Sequence, residues 1–170
     1  MIAAVYPSPP SEPVADGLTL AYQPQVSLVD GVVLGVEALV RWDRAGQGPI
    51  APEIFIPVAE DTGLVVELGR WAIDRVVADL AAGLPVVASV NLSTRQLDEP
   101  SLLDDITAAL ARHGVEPSRL RLEVTESSLA RDPDRGEALL RRLHDLGVRV
   151  AIDDFGTGYA GLENLRRTEV

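Results

Sequence analysis

Side chains that carry oxygen recur near the ends of four short segments of the sequence. They are Glu37 in GVEALVR, Asn91 in SVNLS, Glu123 in LEVTES and the pair Asp153 and Asp154 in AIDDFGTG. Hard cations such as Mg²⁺ and Mn²⁺ bind oxygen donors of this kind. The adjacent carboxylates of Asp153 and Asp154 could serve two ions, which would activate a water and neutralise an in-line phosphoryl transition state. The set therefore predicts a divalent-cation site.

An arginine accompanies the first of these carboxylates. Arg41 shares a strand face with Glu37 and lies about 13 Å further along, at roughly 3.3 Å per residue of extended chain. A planar guanidinium at that distance suits a substrate phosphate held beside the cations. Each residue alone has an ordinary explanation, such as a solvated carboxylate, turn chemistry, or an ion pair between Arg41 and Asp43. The combination of these residues favours a site that binds a phosphate beside divalent cations.

Alternating strands and helices are the elements that must position these residues. Leu18–Val26 and residues 32–41 are predicted to form an antiparallel hairpin that turns at Asp30 and Gly31. After the hairpin, the order of strands and helices predicts a parallel sheet covered by helices. Further strands are predicted at residues 86–91, Leu120–Thr125 and 148–152, and helices at residues 53–61, 64–82, Leu102–His113, 136–146 and 159–165.

The alternation of side chains along each strand separates packing from chemistry. In Leu120–Thr125, Leu122 and Val124 share one face, whereas Glu123 points to the other. In the strand at residues 148–152, the aliphatic series likewise opposes Asp153. The aliphatic face suits a covering of helices, and the oxygen-bearing face suits the interior of a barrel. Most of the candidate ligands also lie near the carboxyl ends of their strands, where α/β sheets place ligand sites, although Glu37 lies in mid-strand.

The composition excludes several classes of function. The chain has 170 residues and is 46% hydrophobic, which is enough for one domain with a sizeable core. It contains no cysteine, so disulfides, thiolate metal sites and cysteine nucleophiles are excluded. The formal net charge of −11 gives no support to binding of a nucleic-acid polymer.

The sequence shows no membrane segment. Its most apolar helical stretch, residues 64–80, is interrupted by charged side chains, whereas a span needs about 20 nearly uncharged residues. Residues 1–17 are rich in proline and are expected to be a flexible leader, with the domain occupying residues 18–170. We therefore expect a cytoplasmic protein.

Six motifs of the sequence resemble those of the EAL domain family, the cyclic di-GMP-specific phosphodiesterases, in the same order. The resemblance implies a TIM-like (β/α)₈ barrel of the α/β class with an antiparallel first strand, which agrees with the predicted hairpin. It also implies metal-dependent hydrolysis of cyclic di-GMP to linear pGpG. The motifs are YQPQVSL at 22–28, EALVRW at 37–42, FIPVAEDTGL at 55–64, SVNLSTRQL at 89–97, LEVTES at 122–127 and DDFGTGYAGL at 153–162.

The same resemblance implies roles for individual residues. The cofactor would be Mg²⁺ or Mn²⁺ in a two-metal site, and the loop from Asp153 to Gly158 would contribute to metal binding and to a homodimer. By resemblance, the ligands of the first ion are Glu37, Asn91, Glu123 and Asp153, a ligand of the second is Asp154, the contacts to cyclic di-GMP are Gln23, Leu39 and Arg41, and a further acidic site residue is Glu126.

The family pattern continues into segments that do not follow Val170. These are a strand with a catalytic lysine in a Lys-Ile-Asp-like motif, a later glutamate ligand and a glutamine-containing motif. With about five strands, the sequence indicates the N-terminal portion of an EAL domain, an incomplete barrel that by itself hydrolyses cyclic di-GMP negligibly. Two alternatives stay open: a degenerate cyclic di-GMP receptor or protein-interaction module, and a chain completed by a partner.

Overall fold

The structure is a computed structural model that describes residues 16–153. The expected leader therefore lies almost wholly outside the described residues, as do Asp154 and the helix expected at residues 159–165. The strands are β1 Leu18–Val26, β2 Val33–Arg44, β3 Gly48–Ile50, β4 Val87–Asn91, β5 Leu120–Thr125 and β6 Arg149–Asp153. The helices are α1 Pro52–Thr62, α2 Val65–Ala81, α3 Thr94–Leu97, α4 Leu102–His113, α5 Glu126–Ala130 and α6 Pro133–Leu146.

The strands form one mixed sheet in the order β1-β2-β4-β5-β6, with β3 paired to β2. The first pair, β1 and β2, is antiparallel, and the pairs β2/β4, β4/β5 and β5/β6 are parallel. This is the predicted order of an antiparallel hairpin followed by parallel strands that helical connections join. None of the helices between residues 16 and 153 has the length and apolarity that a membrane crossing requires.

Three short elements were not expected from the sequence. The segment after β2 was interpreted as a loop, but β2 runs on to Arg44 and turns into β3, since Gly46 and Gly48 adopt φ of 80° and 78°. Helices α3 and α5 begin directly after Ser93 and Thr125, whose side chains cap them. Helices of this length are too short to show a 3.6-residue period, so only their capping residues could have announced them.

The hydrophobic core lies between the sheet and the helices. Leu120, Leu122 and Val124 of β5 are at most 1% exposed, and they pack in one cluster with α2, α4 and α6. The aliphatic face of the sheet is therefore the helix-covered one, as the alternation in β5 predicts. The helical residues of this cluster that are at most 2% exposed are Ile73, Val76, Val77, Leu80, Ile106 and Leu143.

A buried polar contact joins the first strand to α2 within this core. The Tyr22 hydroxyl donates a hydrogen bond of 2.7 Å to Oδ2 of Asp79, whose Oδ1 lies 3.5 Å from Nε of Arg75. Burial, followed by this hydrogen bond, raises the pKa of the Tyr22 phenol above its ordinary value. The phenol therefore stays protonated in the folded chain and anchors α2 on the back of β1.

The substitution Tyr22→Phe is expected to lower the free energy of unfolding by about 1–2 kcal/mol near neutral pH, because Asp79 loses the phenol donor. The unfolded chain ionises Tyr22 near the ordinary tyrosine pKa of about 10, whereas the folded chain does so only at higher pH. The stabilisation by Tyr22 is thus complete below about pH 10 and declines above it. Urea unfolding of both proteins at about pH 8 and pH 11 checks this, and an equal difference at the two pH values would contradict it.

Candidate functional site

The side chains predicted to bind a cation lie on the face of the sheet opposite the helix-covered core. Residues paired across neighbouring strands point to the same side, and so do residues two apart on one strand. By these two rules, every candidate side chain from β2 to β6 points to the same side of the sheet. The pairs that establish this are Glu37 with Ser89, Asn91 with Glu123, and Thr125 with Asp153.

Two of the candidates are in direct contact. Nδ2 of Asn91 donates a hydrogen bond of 2.7 Å to Oε1 of Glu37. A carboxylate can only accept, so the NH₂ group of Asn91 faces Glu37 and its Oδ1 is left for another donor or a cation. The stagger of β2 against β4 brings the mid-strand Glu37 close to Asn91 at the end of β4, which accounts for the position of Glu37 before its strand end.

Glu123 is the most enclosed of the candidates, with 9% of its surface exposed. Its Oε1 accepts a hydrogen bond of 3.0 Å from Nε2 of Gln25. Its Oε2 has no hydrogen-bond partner among the residues that the structure describes. One oxygen of this carboxylate is therefore held in place, and the other is available.

The remaining acidic candidates lie at the ends of β5 and β6. Asp153 is exposed at the end of β6, and Glu126 is half-buried as the first residue of α5, directly after the Thr125 cap. Within residues 16–153, no group of three or more carboxylate, histidine or cysteine side chains is gathered closely enough to hold a metal ion. The oxygens of Glu37, Asn91, Glu123 and Asp153 suit Mg²⁺ or Mn²⁺ in their chemistry and in the sheet face that they share. The homodimer contact expected in the loop after Asp153 lies outside the described residues.

A cleft of about 370 Å³ opens beside these residues. Leu39 and Arg41 line it together with Asn91 and Glu123. Among the residues that the structure describes, the guanidinium of Arg41 donates only to the carbonyl oxygen of Val40, at 3.1 Å, and the alternative ion pair with Asp43 is not formed. The cleft therefore combines an uncommitted cationic side chain with oxygen donors. Its lining also includes Ile56 of α1 and Val65 and Leu68 of α2.

Gln23 lies on the neighbouring strand, outside this lining. It is exposed on β1 and pairs with Glu37 across the hairpin. The register thus places Gln23 on the same face as the oxygen donors. Neither Gln23 of β1 nor Glu37 of β2 lines the cleft, whose lining includes residues of α1 and α2.

The segment after Asn91 is fixed by a close fit between two helices. Ser93 and Gln96 cap α3 reciprocally, each side chain bonding to the backbone of the other. The Gln96 side chain is 4% exposed and lies against Gly69 of α2, where an added Cβ would come within 1.7 Å of its Nε2. The absence of a side chain at Gly69 therefore leaves space for Gln96, which fixes the segment that follows Asn91. The sequence reasoning missed this pair, although SxxQ is a recognisable capping signal.

Comparison with known proteins decides the family. A family model described as the EAL domain matches residues 12–170. The chain belongs to the EAL domain family. Its mixed sheet, with an antiparallel first pair and parallel strands thereafter, is the α/β EAL fold in the form of a partial TIM-like barrel, as predicted.

Three curated relatives match most of this chain. MucR of Pseudomonas aeruginosa, described as a bifunctional diguanylate cyclase/cyclic di-GMP phosphodiesterase, is 44% identical over 88% of this chain and 23% of its own length. NbdA of the same organism, described as a cyclic di-GMP phosphodiesterase, is 42% identical over 89% of this chain and 20% of its own length. An uncharacterized signaling protein of Caulobacter vibrioides is 49% identical over 88% of this chain and 18% of its own length. The chain thus spans about a fifth of these relatives.

Solved EAL structures have the same architecture. The PaMucR phosphodiesterase in complex with c-di-GMP superposes with a TM-score of 0.85 at 43% identity, covering 90% of this chain and 64% of that one. The Xanthomonas citri FimX EAL domain in complex with c-di-GMP has a TM-score of 0.76 at 28% identity, covering 89% of this chain and 59% of that one. Both of these similar domains bind the cyclic dinucleotide.

Proposed function

We propose that this EAL domain binds cyclic di-GMP at the cleft beside Arg41 and that the complete protein hydrolyses it to linear pGpG. The observation that carries the proposal is the position of Arg41, whose uncommitted guanidinium lines one cleft with Asn91 and Glu123. Metal-assisted hydrolysis of a phosphate diester uses a cationic side chain that binds the phosphate and divalent cations that oxygen donors hold. This cleft offers residues for both. The complexes of PaMucR and FimX with c-di-GMP support the choice of ligand.

Each residue has a part in the proposal. The first Mg²⁺ or Mn²⁺ would be held by oxygens on the inner face, where it would supply Lewis-acid activation of water. Arg41 would bind a phosphate of the dinucleotide, Gln23 and Leu39 would contact its remainder, and Glu126 would add an acidic group after β5. The proposed ligands are Glu37, Asn91, Glu123 and Asp153, with Asp154 for the second ion.

We further propose that these 170 residues alone bind cyclic di-GMP without turning it over. The resemblance assigns activation of the attacking water to a lysine, but this sequence contains 15 arginines and no lysine. An arginine does not substitute for that lysine, since its guanidinium stays charged and differs in shape. Binding without turnover is also what the alternative receptor function requires, so the binding step is tested first.

Calorimetric titration with cyclic di-GMP in the presence of Mg²⁺ is expected to show saturable binding that Arg41→Ala weakens about 10-fold or more, because a charge-assisted hydrogen bond to phosphate is lost. Arg142→Ala, which removes the same charge from an exposed position on α6, is the matched control and should bind like the parent. Chromatography of the titrated samples should detect no pGpG.

The outcomes separate the two parts of the proposal. Equal affinity of the parent and Arg41→Ala would contradict the cleft as the binding site. Appearance of pGpG with the purified 170-residue protein would contradict the absence of turnover and leave the binding site supported.

A further inference from the structure

A glutamine on β1 lies between a cationic and an anionic side chain of β5. Nε2 of Gln25 donates to Oε1 of Glu123 at 3.0 Å, and Nη1 of Arg121 donates to Oε1 of Gln25 at 3.0 Å. The three side chains thus form a continuous hydrogen-bonded chain across the inner face of the sheet. Its members come from positions 96 and 98 residues apart in the sequence.

The chemistry of its neighbours fixes the orientation of this amide. A guanidinium only donates hydrogen bonds and a carboxylate only accepts them, so the Gln25 oxygen must face Arg121 and its nitrogen must face Glu123. Each end of the amide is matched to the charge that it meets. Gln25 therefore satisfies both charged groups while standing between them.

The backbone around Gln25 makes this crossing possible. Gly35 pairs with Gln25 across the hairpin, and a Cβ added there would lie 3.2 Å from the Gln25 Oε1 and 2.9 Å from the carbonyl oxygen of Val87. On β4, the fully buried Ser89 presents only a small side chain beside Arg121. The register of β1 also shifts between Gln25 and Val26, and such bulges redirect side chains.

Without Gln25, Arg121 and Glu123 are placed to meet directly. They are two residues apart on one face of β5, about 7 Å at 3.3–3.4 Å per residue, which a long guanidinium side chain readily spans. In the structure no ion pair within 4.0 Å joins them, and each instead forms a hydrogen bond with Gln25. A direct pair could be bidentate and would then occupy both carboxylate oxygens.

We propose that Gln25 is a positioning residue that keeps Arg121 from pairing with Glu123 and so leaves Oε2 of Glu123 available to a divalent cation. The inference rests on the proposed function, because Glu123 acts as a cation ligand only there. Gln25 itself touches neither cation nor substrate in this proposal. It acts through the carboxylate that it holds.

The test is Mn²⁺ binding, measured by calorimetry or electron paramagnetic resonance on the purified chain. Gln25→Leu is expected to weaken Mn²⁺ binding about 10-fold, the lower end of losses that follow removal of an outer-shell partner. The double variant Gln25→Leu/Arg121→Leu is expected to recover affinity to within about 3-fold of the parent, because the competing guanidinium is gone. Gln47→Leu, at an exposed turn, is the matched control and should bind like the parent.

This cycle distinguishes positioning from a merely structural role. If Gln25 only supported the fold, the second substitution would add to the loss, so a double variant that binds more weakly than Gln25→Leu overturns the inference. Parent-like binding by Gln25→Leu overturns it as well. Thermal unfolding in EDTA verifies that all variants are folded.

A metal-free measurement separates this inference from the proposed cation site. Absence of Mn²⁺ binding by the parent would contradict the proposed function. In that case the structure of Gln25→Leu in EDTA still decides the positioning step: an Arg121–Glu123 ion pair within 4 Å supports it, and continued separation of the two side chains overturns it.

Discussion

The substitution Glu123→Gln is expected to lower the affinity for Mn²⁺ at least about 100-fold, more than the loss typical of an outer-shell partner. Glutamine keeps the volume of the side chain and can still accept the hydrogen bond from Gln25, but it removes the negative charge. Glu123 is 9% exposed, so solvent does little to replace that charge. Electron paramagnetic resonance of free Mn²⁺ during a titration measures the change.

The control for this loss of charge is Glu137→Gln. Glu137 lies on α6, where it pairs with Arg141 four residues on, away from the inner face of the sheet. That variant should bind Mn²⁺ like the parent. A titration of Glu123→Gln that matches the parent would place the cation at other residues and refute the ligand set.

Gly69→Ala is expected to lower the free energy of unfolding by about 1–3 kcal/mol, the usual cost of overpacking a well-filled interior. The new methyl would come within 1.7 Å of Nε2 of Gln96, which is 4% exposed and has little room to move. Displacement of Gln96 would also break the capping box that it forms with Ser93. Urea unfolding of the parent and the variant measures the difference.

Removal of the Gln96 side chain should reverse the sign of the effect that Gly69→Ala has on the free energy of unfolding. In a Gln96→Ala background, Gly69→Ala meets no amide, and alanine is favoured over glycine inside a helix by about 1 kcal/mol. The expected result is therefore a stabilisation, and the coupling free energy between the two sites would exceed about 1.5 kcal/mol. Equal destabilisation in both backgrounds would show that contact with Gln96 is not the cause.

The sequence predicted the bounds of a helix or strand correctly where a periodic pattern continued through the whole element. The bounds of β5 and α4 match the expected Leu120–Thr125 and Leu102–His113 because alternation and helical spacing persist through them. The same alternation predicted that Glu123 and Asp153 would share the face opposite the core, as the register shows. The antiparallel first hairpin followed from a turn signal at Asp30 and Gly31.

Contacts between distant segments could not be predicted in this way. The sequence places Gln25 on the face of Gln23, but its contact with Glu123 depends on the bulge in β1 and on the small residues beneath it. The fit of Gln96 against Gly69 likewise joins two helices whose approach no local pattern encodes. The contact of Asn91 with Glu37 required the stagger of β4 against β2, which a strand-by-strand interpretation does not supply.

The two faces of β5 have an evolutionary consequence. Leu122 and Val124 pack against the helices, whereas Arg121 and Glu123 on the other face form hydrogen bonds with Gln25. Point substitutions in the polar series therefore leave the packing against the helices in place. A one-residue insertion or deletion would instead interchange the faces and destroy both. We therefore expect related chains to vary in length at the connections and to differ within β5 by substitution.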